Sequence, residues 1–327
     1  MPGPGLKSGA VYAPELVGAV RQYNTQYAIL QQFIGDLVLP YWKSDLKVAA
    51  FPIVSKENWR KRVKTARAPG TAFSRSTWAW DQGTFNCLEN AHEVPIDRKE
   101  AASYAAILSY ETEAAIGADF IIRQEREARV AAAVMNPNVF TPTNVGTAWS
   151  DLDNAYALAD IDAACNKLQD QLGVGRNQLS VILPRSGWQN LRQQKALLNV
   201  LRNWDSGIQK ADSIKEETIK NYLDVKQIIV ASFSVDTADE GQDQALSQVW
   251  GDQYGMVALL APGEDAPRET LCLGRTIRWT DEMPDDVTVE VYTEDGIDSE
   301  IVRGRQFTDE LIQATFAGQL LDLKKQS

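Results

Sequence analysis

The sequence predicts a mixed α+β protein, and three observations carry that reading. A helical periodicity runs unbroken from Asp97 to Met135, short β-type runs alternate with helical ones after residue 150, and charge is divided unevenly along the chain. At 327 residues the chain suits about two compact domains, taking roughly 100–200 residues for each. Hydrophobic residues make up 44 % and charged residues 24 %, the balance of a globular protein, which excludes disorder and collagen-like repetition.

Residues 1–12 are rich in Pro and Gly without a period and read as a flexible arm. From Pro14 to about Val38 apolar residues recur at helical spacing: Leu16, Val17, Val20, Tyr23, Tyr27, Leu30, Phe33 and Ile34. A helix on such an arm is expected to dock on the main body or on a neighbour. Residues 45–95 change character. Val48-Ala49-Ala50-Phe51 is strand-like, and Thr77-Trp78-Ala79-Trp80 places both tryptophans on one face of an extended chain. Ala68-Pro69-Gly70 and Asp81-Gln82-Gly83 supply turn chemistry, so the region reads as a long β-hairpin with irregular flanks. A lone two-stranded hairpin is marginal in water, so its edge must lie against something else.

Asp97-Arg98-Lys99-Glu100 is a relative of the capping box and opens the long helical pattern, which stops at Asn136-Pro137. Met135 lies 38 residues beyond Asp97, about 57 Å along a helix axis. Its expected buried stripe includes Tyr104, Ala105, Leu108, Ala115, Ala118 and Ile122. Arg123–Glu127 and Glu125–Arg129 fall at i,i+4 and are expected to pair. Beyond a loop at 136–150, a helix is expected from Asp160 to Leu172, a strand from Gln178 to Leu183 and a second helix from Gly187 to Val200. Val225–Ala231 and Met256–Leu260 read as strands, and Val287, Val289 and Val291 alternate on one face of another. A last helix is expected over Asp309–Leu323.

The residues offer little to an enzyme. Cys87, Cys165 and Cys272 are far apart without Cys-x-x-Cys spacing, so they read as small buried hydrophobes and neither a local zinc site nor a disulfide framework. His92 is the single histidine, and a catalytic triad would have to rest on it alone. Gly173-Val174-Gly175 follows a helix and lacks the third glycine of a dinucleotide loop. Asp285-Asp286 and Glu264-Asp265 could hold a divalent cation, but such pairs are more often solvated acidic loops. Trp78, Trp80 and Phe85 could stack on bases, but packing beneath a hairpin is the better account of them. No catalytic, cofactor or metal residue is therefore assigned. No run reaches the ~18 apolar residues of a membrane span, and no secretory signal opens the chain, so synthesis in a cytoplasm is expected.

Charge is more telling. Between Lys56 and Arg75 stand seven bases, Lys56, Arg60, Lys61, Arg62, Lys64, Arg67 and Arg75, against Glu57 alone. From Phe233 to Ser327 the balance reverses to twenty acids against seven bases. A basic segment on an acidic body can touch nucleic-acid phosphates, pair with the acidic surface of another copy, or simply be a solvated loop. These seven bases are the candidate contacts between subunits.

In this order the elements resemble the major capsid proteins of tailed bacteriophages, whose Hong Kong 97-like fold is shared by encapsulin shells. The resemblance rests on Phe33-Ile34-Gly35-Asp36-Leu37-Val38-Leu39-Pro40, Arg67-Ala68-Pro69-Gly70-Thr71-Ala72, Ala114 to Ala133, Trp149-Ser150-Asp151 with Asp160-Ile161, Asn177 to Pro184 with Trp188 and Leu191, and Val249-Trp250-Gly251. It implies an N-terminal arm (1–44), an extended loop (45–95), a peripheral domain with its spine helix (96–152), an axial domain (153–280), returning peripheral strands (281–308) and a C-terminal helix (309–327).

The function implied is an icosahedral shell of hexamers and pentamers around packaged double-stranded DNA, assembled in the host bacterial cytoplasm and located in the virion. Relatives that fuse their scaffold carry a long extra N-terminal region that this sequence lacks, so the expectation is a separate scaffolding protein or an already processed chain, beside a portal and a decoration protein. Some relatives join an extended-loop lysine to a neighbour's asparagine. Lys56, Lys61 and Lys64 are available, but no asparagine follows Asn221, so a non-covalent shell is expected. Two other readings stay open: an encapsulin-like compartment, and more distantly a metal-dependent soluble enzyme using the acidic pairs.

Overall fold

The structure is a computed structural model that describes residues 11–27, 33–54, 62–75, 80–99, 103, 109–204, 214–238, 241–267, 269–281 and 287–324. The chain enters through β1 (Val11–Tyr12), α1 (Pro14–Tyr27), the single turn α2 (Gly35–Val38) and β2 (Tyr41–Ser44). β3 (Val48–Val54) and β4 (Trp80–Asn86) pair as a two-stranded sheet, followed by β5 (Leu88–Asp97) and the long α3 (Tyr110–Val134). Then come β6 (Thr143–Asn144), α4 (Ala157–Leu172), β7 (Ser180–Pro184), α5 (Arg185–Gln193), α6 (Lys195–Trp204) and α7 (Glu216–Leu223). Strands follow: β8 (Gln227–Ala231), β9 (Ser234–Asp236), β10 (Leu246–Gln248) and β11 (Tyr254–Ala258). The last are β12 (Gly274–Trp279), β13 (Thr288–Glu294), β14 (Ser299–Ile312) and β15 (Gly318–Asp322). Two compact units result, one from Met1–Ala49, Phe85–Ala131 and Thr276–Leu311, the other from Ala50–Thr84, Ala132–Arg275 and Ile312–Ser327.

The first unit is a six-stranded sheet in the order β1-β13-β14-β12-β2, with β5 on β14. The arm docks on this body: Val11 pairs with Val291, and Leu16, Val17 and Val20 of α1 pack with Ala115 of α3, Ile96, Val289 and Val302. Close packing of α3 on β14 needs Gly304, where a Cβ would stand 3.2 Å from that of Ala118 and 3.1 Å from Ile122 Cδ1. Ala115, Ala118 and Ile122 are buried as their spacing predicts; Tyr104, Ala105 and Leu108 lie outside the described residues.

Helix α3 also clamps the arm-to-body segment. The buried Glu127 carboxylate accepts the backbone N–H groups of Ile34 (3.0 Å) and Gly35 (2.8 Å), and a Cβ on residue 35 would meet its Oε2 at 2.6 Å. One turn earlier Arg123 bonds Asp119 at 2.8 Å and reaches Asp36 at 3.8 Å. Arg126 binds Asp36, donates to the Leu39 carbonyl and Thr276 Oγ1, and lies 3.9 Å from the Tyr41 ring centroid. Arg129 grips Glu310 through two bonds of 3.0 and 3.2 Å. Arg123 thus has a partner at i,i+4 spacing, Asp119, whereas Arg126, Glu127 and Arg129 bind groups far along the chain, the partners that desolvated charges require. On the opposite face of the sheet, buried Glu290 of β13 accepts from Arg305 (2.7 Å) and Arg303 (3.4 Å) of β14, which also reach Glu89 and Glu93 of β5.

The second unit is a five-stranded sheet in the order β6-β15-β11-β7-β8, with β7 parallel to β8 and antiparallel to β11. Its core joins Ile161, Cys165 and Leu168 of α4 to Val181, Leu183, Trp188, Leu191, Val257 and Leu321. Gly173 ends α4 in the left-handed conformation (φ 69°) with its N–H on the Gln169 carbonyl at 2.7 Å, so this glycine serves as a helix C-cap.

Four sequence expectations are corrected. The segment Asp309–Leu323 is not a helix: it is the end of β14, a 3-10 turn at Thr315–Ala317 and β15. The long helix is not continuous from Asp97, which ends β5; its side chain accepts the Lys99 N–H at 2.8 Å, and Ser109, outside the helix, opens α3 by accepting the Glu113 N–H. α3 thus spans 25 residues, about 37 Å. Asp81-Gln82-Gly83 is no turn but the interior of β4, where Gly83 admits Ile53 at 2.9 Å from a virtual Cβ. The helix expected over Gly187–Val200 is split at Gln194, whose buried amide accepts from Ala157 N (2.9 Å) and donates to the Trp149 carbonyl (3.4 Å).

All three cysteines are buried, as their reading as small hydrophobes requires. Burial, with Asp309 nearby, pushes the Cys87 thiol up to about 12, and burial raises Cys165 and Cys272 against the pull of Arg176 and Arg275. Because the thiolate is the reactive form, a thiol reagent at pH 8 is expected to label no cysteine in the native chain and all three after unfolding. Rapid labelling of any one in the intact fold would contradict this packing.

Candidate assembly interface

The candidate site begins with the strands that carry it. β3 and β4 form a sheet of their own, and the chain between them includes the described residues 62–75. Of its seven candidate bases, Lys56, Arg60 and Lys61 lie outside the described residues, whereas Arg62, Lys64, Arg67 and Arg75 are described and exposed. Residues 62–75 are exposed throughout and contain no acid.

The segment is nonetheless shaped. Ala68-Pro69-Gly70-Thr71 closes a turn with Thr71 N–H on the Ala68 carbonyl at 3.2 Å and Gly70 at φ 83°. Proline at the second and a left-handed glycine at the third position are what a type II turn requires. Thr71 Oγ1 also donates to Ala68 O at 2.8 Å, and Arg67 donates to Thr71 O while its guanidinium lies 4.2 Å from the Phe73 ring centroid. Phe73 is 73 % exposed. The result is a preshaped loop with four cations and an uncovered aromatic ring. Arg62, Lys64 and Arg75 have no ion-pair partner among the described residues.

Sequence reasoning treated the acidic third of the chain as one block; the structure picks out a tip. The turn between β13 and β14 carries Glu294, Asp295, Asp298 and Glu300 and no base, and Ile297 at its apex is 52 % exposed. Asp298 sits at φ 48°, a conformation Asp tolerates better than most residues. Its carboxylate lies 3.5 Å from Arg98, a solvent-exposed pair of small energetic weight.

A further sheet edge is exposed but protected. Among the described residues β5 pairs with β14 alone. Arg98 N–H donates to Asp298 O, so even-numbered positions of this strand face β14 and Pro95 falls where no ladder donor is needed. With Glu89 and Glu93 beside it, Pro95 disfavours addition of a foreign strand to this edge.

Residues considered for chemistry are scattered. His92 lies in β5 opposite Gly304, and Phe85 is a buried residue of β4; Asp285, Asp286 and Trp78 lie outside the described residues. Glu264 and Asp265 follow Gly263 in a loop, and the described residues contain no group of three potential metal ligands.

No protein-family model matches the chain, and neither does any curated protein sequence. Solved structures do. A phage-related protein from Bordetella bronchiseptica RB50 aligns with a TM-score of 0.70 at 16 % identity, over 97 % of this chain and 98 % of its own. The capsid of the cyanophage P-SCSP1u aligns with a TM-score of 0.55 at 12 % identity, over 86 % of this chain and 85 % of its own. The SrpI encapsulin of Synechococcus elongatus PCC 7942 aligns with a TM-score of 0.50 at 7 % identity, over 90 % and 88 %. The chain therefore has the α+β Hong Kong 97-like capsid fold.

Proposed function

We propose that this chain is the major capsid protein of a tailed bacteriophage, a shell-building subunit and not an enzyme. The observation that carries the proposal is a capsid fold spanning nearly the whole chain, so that little is left over for another activity. Physical features support it. An exposed hairpin with unpaired edges is costly to a monomer and useful to an assembly. Copies related by rotation can close rings through heterologous contacts, giving the hexamers and pentamers of an icosahedral shell. Net charge of −11 suits a container that touches packaged double-stranded DNA non-specifically and does not grip it.

In this reading the sequence keeps its division into arm, extended loop, peripheral and axial parts, and Lys56, Arg60, Lys61, Arg62, Lys64, Arg67 and Arg75 contact the next subunit. The chain's partners are itself, a separate scaffolding protein, a portal and a decoration protein; its place is the virion capsid, built in the host bacterial cytoplasm. An encapsulin-like compartment is the second reading, because that shell shares the fold. Nuclease-treated particles decide between them: protected double-stranded DNA supports the capsid, and enclosed protein cargo without DNA supports the compartment.

The shell is expected to be non-covalent, since lysines occur in the loop but no asparagine follows Asn221. Boiling mature particles in detergent should release one band near 36.3 kDa. A ladder of multimers that survives boiling and reductant would overturn this expectation.

A further inference from the structure

We propose that the cleft between α4 and the edge strand β6 binds an extended segment of another protein, with a lysine side chain of that segment entering the cleft toward Asp160. The inference stands on the second unit alone and goes beyond the shell-building reading, so either can fail without the other.

The cleft begins with the spacing of α4. Asp160, Ala163, Ala164 and Lys167 stand at i, i+3, i+4 and i+7 and so share one face. The two alanines leave room there. A cavity of about 240 Å³ results, bounded on its other side by Val145 and by Gln319 and Leu321 of β15. Drug-sized ligands occupy roughly 300–1,000 Å³, so this smaller and mostly apolar space suits a single long side chain. A lysine fits that description, because its methylene stem lies along apolar surface while its charged head seeks a polar group.

The polar group is the half-buried Asp160. Trp149 Nε1 donates to its Oδ2 at 2.9 Å, and the Gly146 N–H donates as well, so the carboxylate is held in place. Burial nevertheless raises its pKa above the ordinary value, and no cation among the described residues pairs with it. A carboxylate withdrawn from water without a counter-ion is a destabilised charge, and an entering ammonium supplies the missing partner. Lys167, exposed at the other end of the cleft, also has no ion-pair partner among the described residues. Helix side chains lean toward the N-terminus, so Lys167 favours an acid close to the entering lysine. Two positions apart along a strand, a lysine and an acid share one side at a separation of about 7 Å.

The extended form of the ligand follows from β6. Thr143 and Asn144 pair in parallel with Leu321 and Asp322, and the Val145 N–H donates to Asp322 O at 3.4 Å. This register turns the N–H and C=O of Asn144 away from β15. Among the described residues β6 ends its sheet, so that donor and acceptor stand unpaired beside the cleft. Pro142 lacks the donor two positions earlier, which confines strand pairing to Asn144. Backbone bonds of this kind supply affinity, and the pocket for an alternate side chain supplies specificity.

The test is fluorescence anisotropy of a dye-labelled peptide, Glu-Val-Lys-Val-Glu, added to the full chain. Acids flank its lysine on both sides, so either strand direction offers one to Lys167. Its net negative charge removes bulk attraction to a chain of net charge −11. Saturable binding is expected, weakened at least about tenfold when norleucine replaces the peptide's lysine. Asp160→Asn, which keeps an oxygen for Trp149, should weaken binding by the same factor. Ala163→Leu fills the cleft from an exposed helical position and should abolish binding with an unchanged circular dichroism spectrum. No saturable binding, equal binding of the norleucine peptide, or wild-type binding by Ala163→Leu would overturn the proposal. Displacement of the peptide by an equal concentration of n-butylamine would overturn it in favour of a free small amine. Slowed self-assembly of Ala163→Leu would overturn it in favour of a second copy of this chain.

Discussion

Replacing Glu290 by alanine is expected to destabilise the six-stranded sheet by about 3 kcal/mol, the lower end of what breaking a buried ion pair costs. Glu290 is 1 % exposed and accepts from both Arg303 and Arg305, themselves 7 % and 6 % exposed. Its removal takes the buried carboxylate away from two desolvated guanidinium groups, whose other acids, Glu89 and Glu93, are nearly half exposed. The lower end is expected because these partners remain. Glu89→Ala is the control and should cost under about 1 kcal/mol, as for other partly solvated pairs. Denaturant unfolding checks both, and equal costs for the two variants would mean that the buried carboxylate is not the keystone of this face.

The second large effect is expected where the arm meets the body. Glu127→Ala orphans the N–H groups of Ile34 and Gly35, each bonded to a charged acceptor. Hydrogen bonds to charged groups are worth about 1.5–3 kcal/mol each, so a loss of about 3 kcal/mol is expected for the pair. Gly35→Ala should cost less, because it displaces the Glu127 carboxylate from a 2.6 Å approach but leaves it available to re-bond. Asp36 adds a pH dependence. Burial would raise its carboxyl pKa, but the Arg126 and Arg123 guanidinium groups outweigh it and hold the group below the usual range. A depressed carboxylate pKa stabilises the fold above the unfolded value, near 3.9 for aspartate, and that contribution fades as pH falls through the folded value. Asp36→Asn should therefore flatten acid unfolding below about pH 4. An unchanged acid limb, or a Glu127→Ala variant as stable as wild type, would contradict this account of the junction.

Much of this was legible in the sequence, and the misses share causes. Leu16, Val17 and Val20, or Ala115, Ala118 and Ile122, face a core on one side only, so helical spacing reveals them. Val287, Val289 and Val291 succeed for the same reason with period two. β15 fails because it lies between β6 and β11, where Gln319 to Asp322 are all buried and no alternation survives. The buried charges were misread because their partners are distant in sequence: Arg129 reaches Glu310 across 181 positions, and spacing along one helix cannot show that. Of the candidate interface, the basic loop and its Pro-Gly turn were visible as composition. The acidic turn was hidden in a long acidic stretch, since only the fold places Glu294, Asp295 and Asp298 together at an exposed tip.

Negative-stain electron microscopy of the purified chain, expressed with and without neighbouring head-assembly proteins, tests the central claim most directly. Closed, roughly spherical shells of uniform size, built from hexamers and pentamers, are the expected result. A chain that stays monomeric or dimeric in every condition, with an intact fold by circular dichroism, would contradict it.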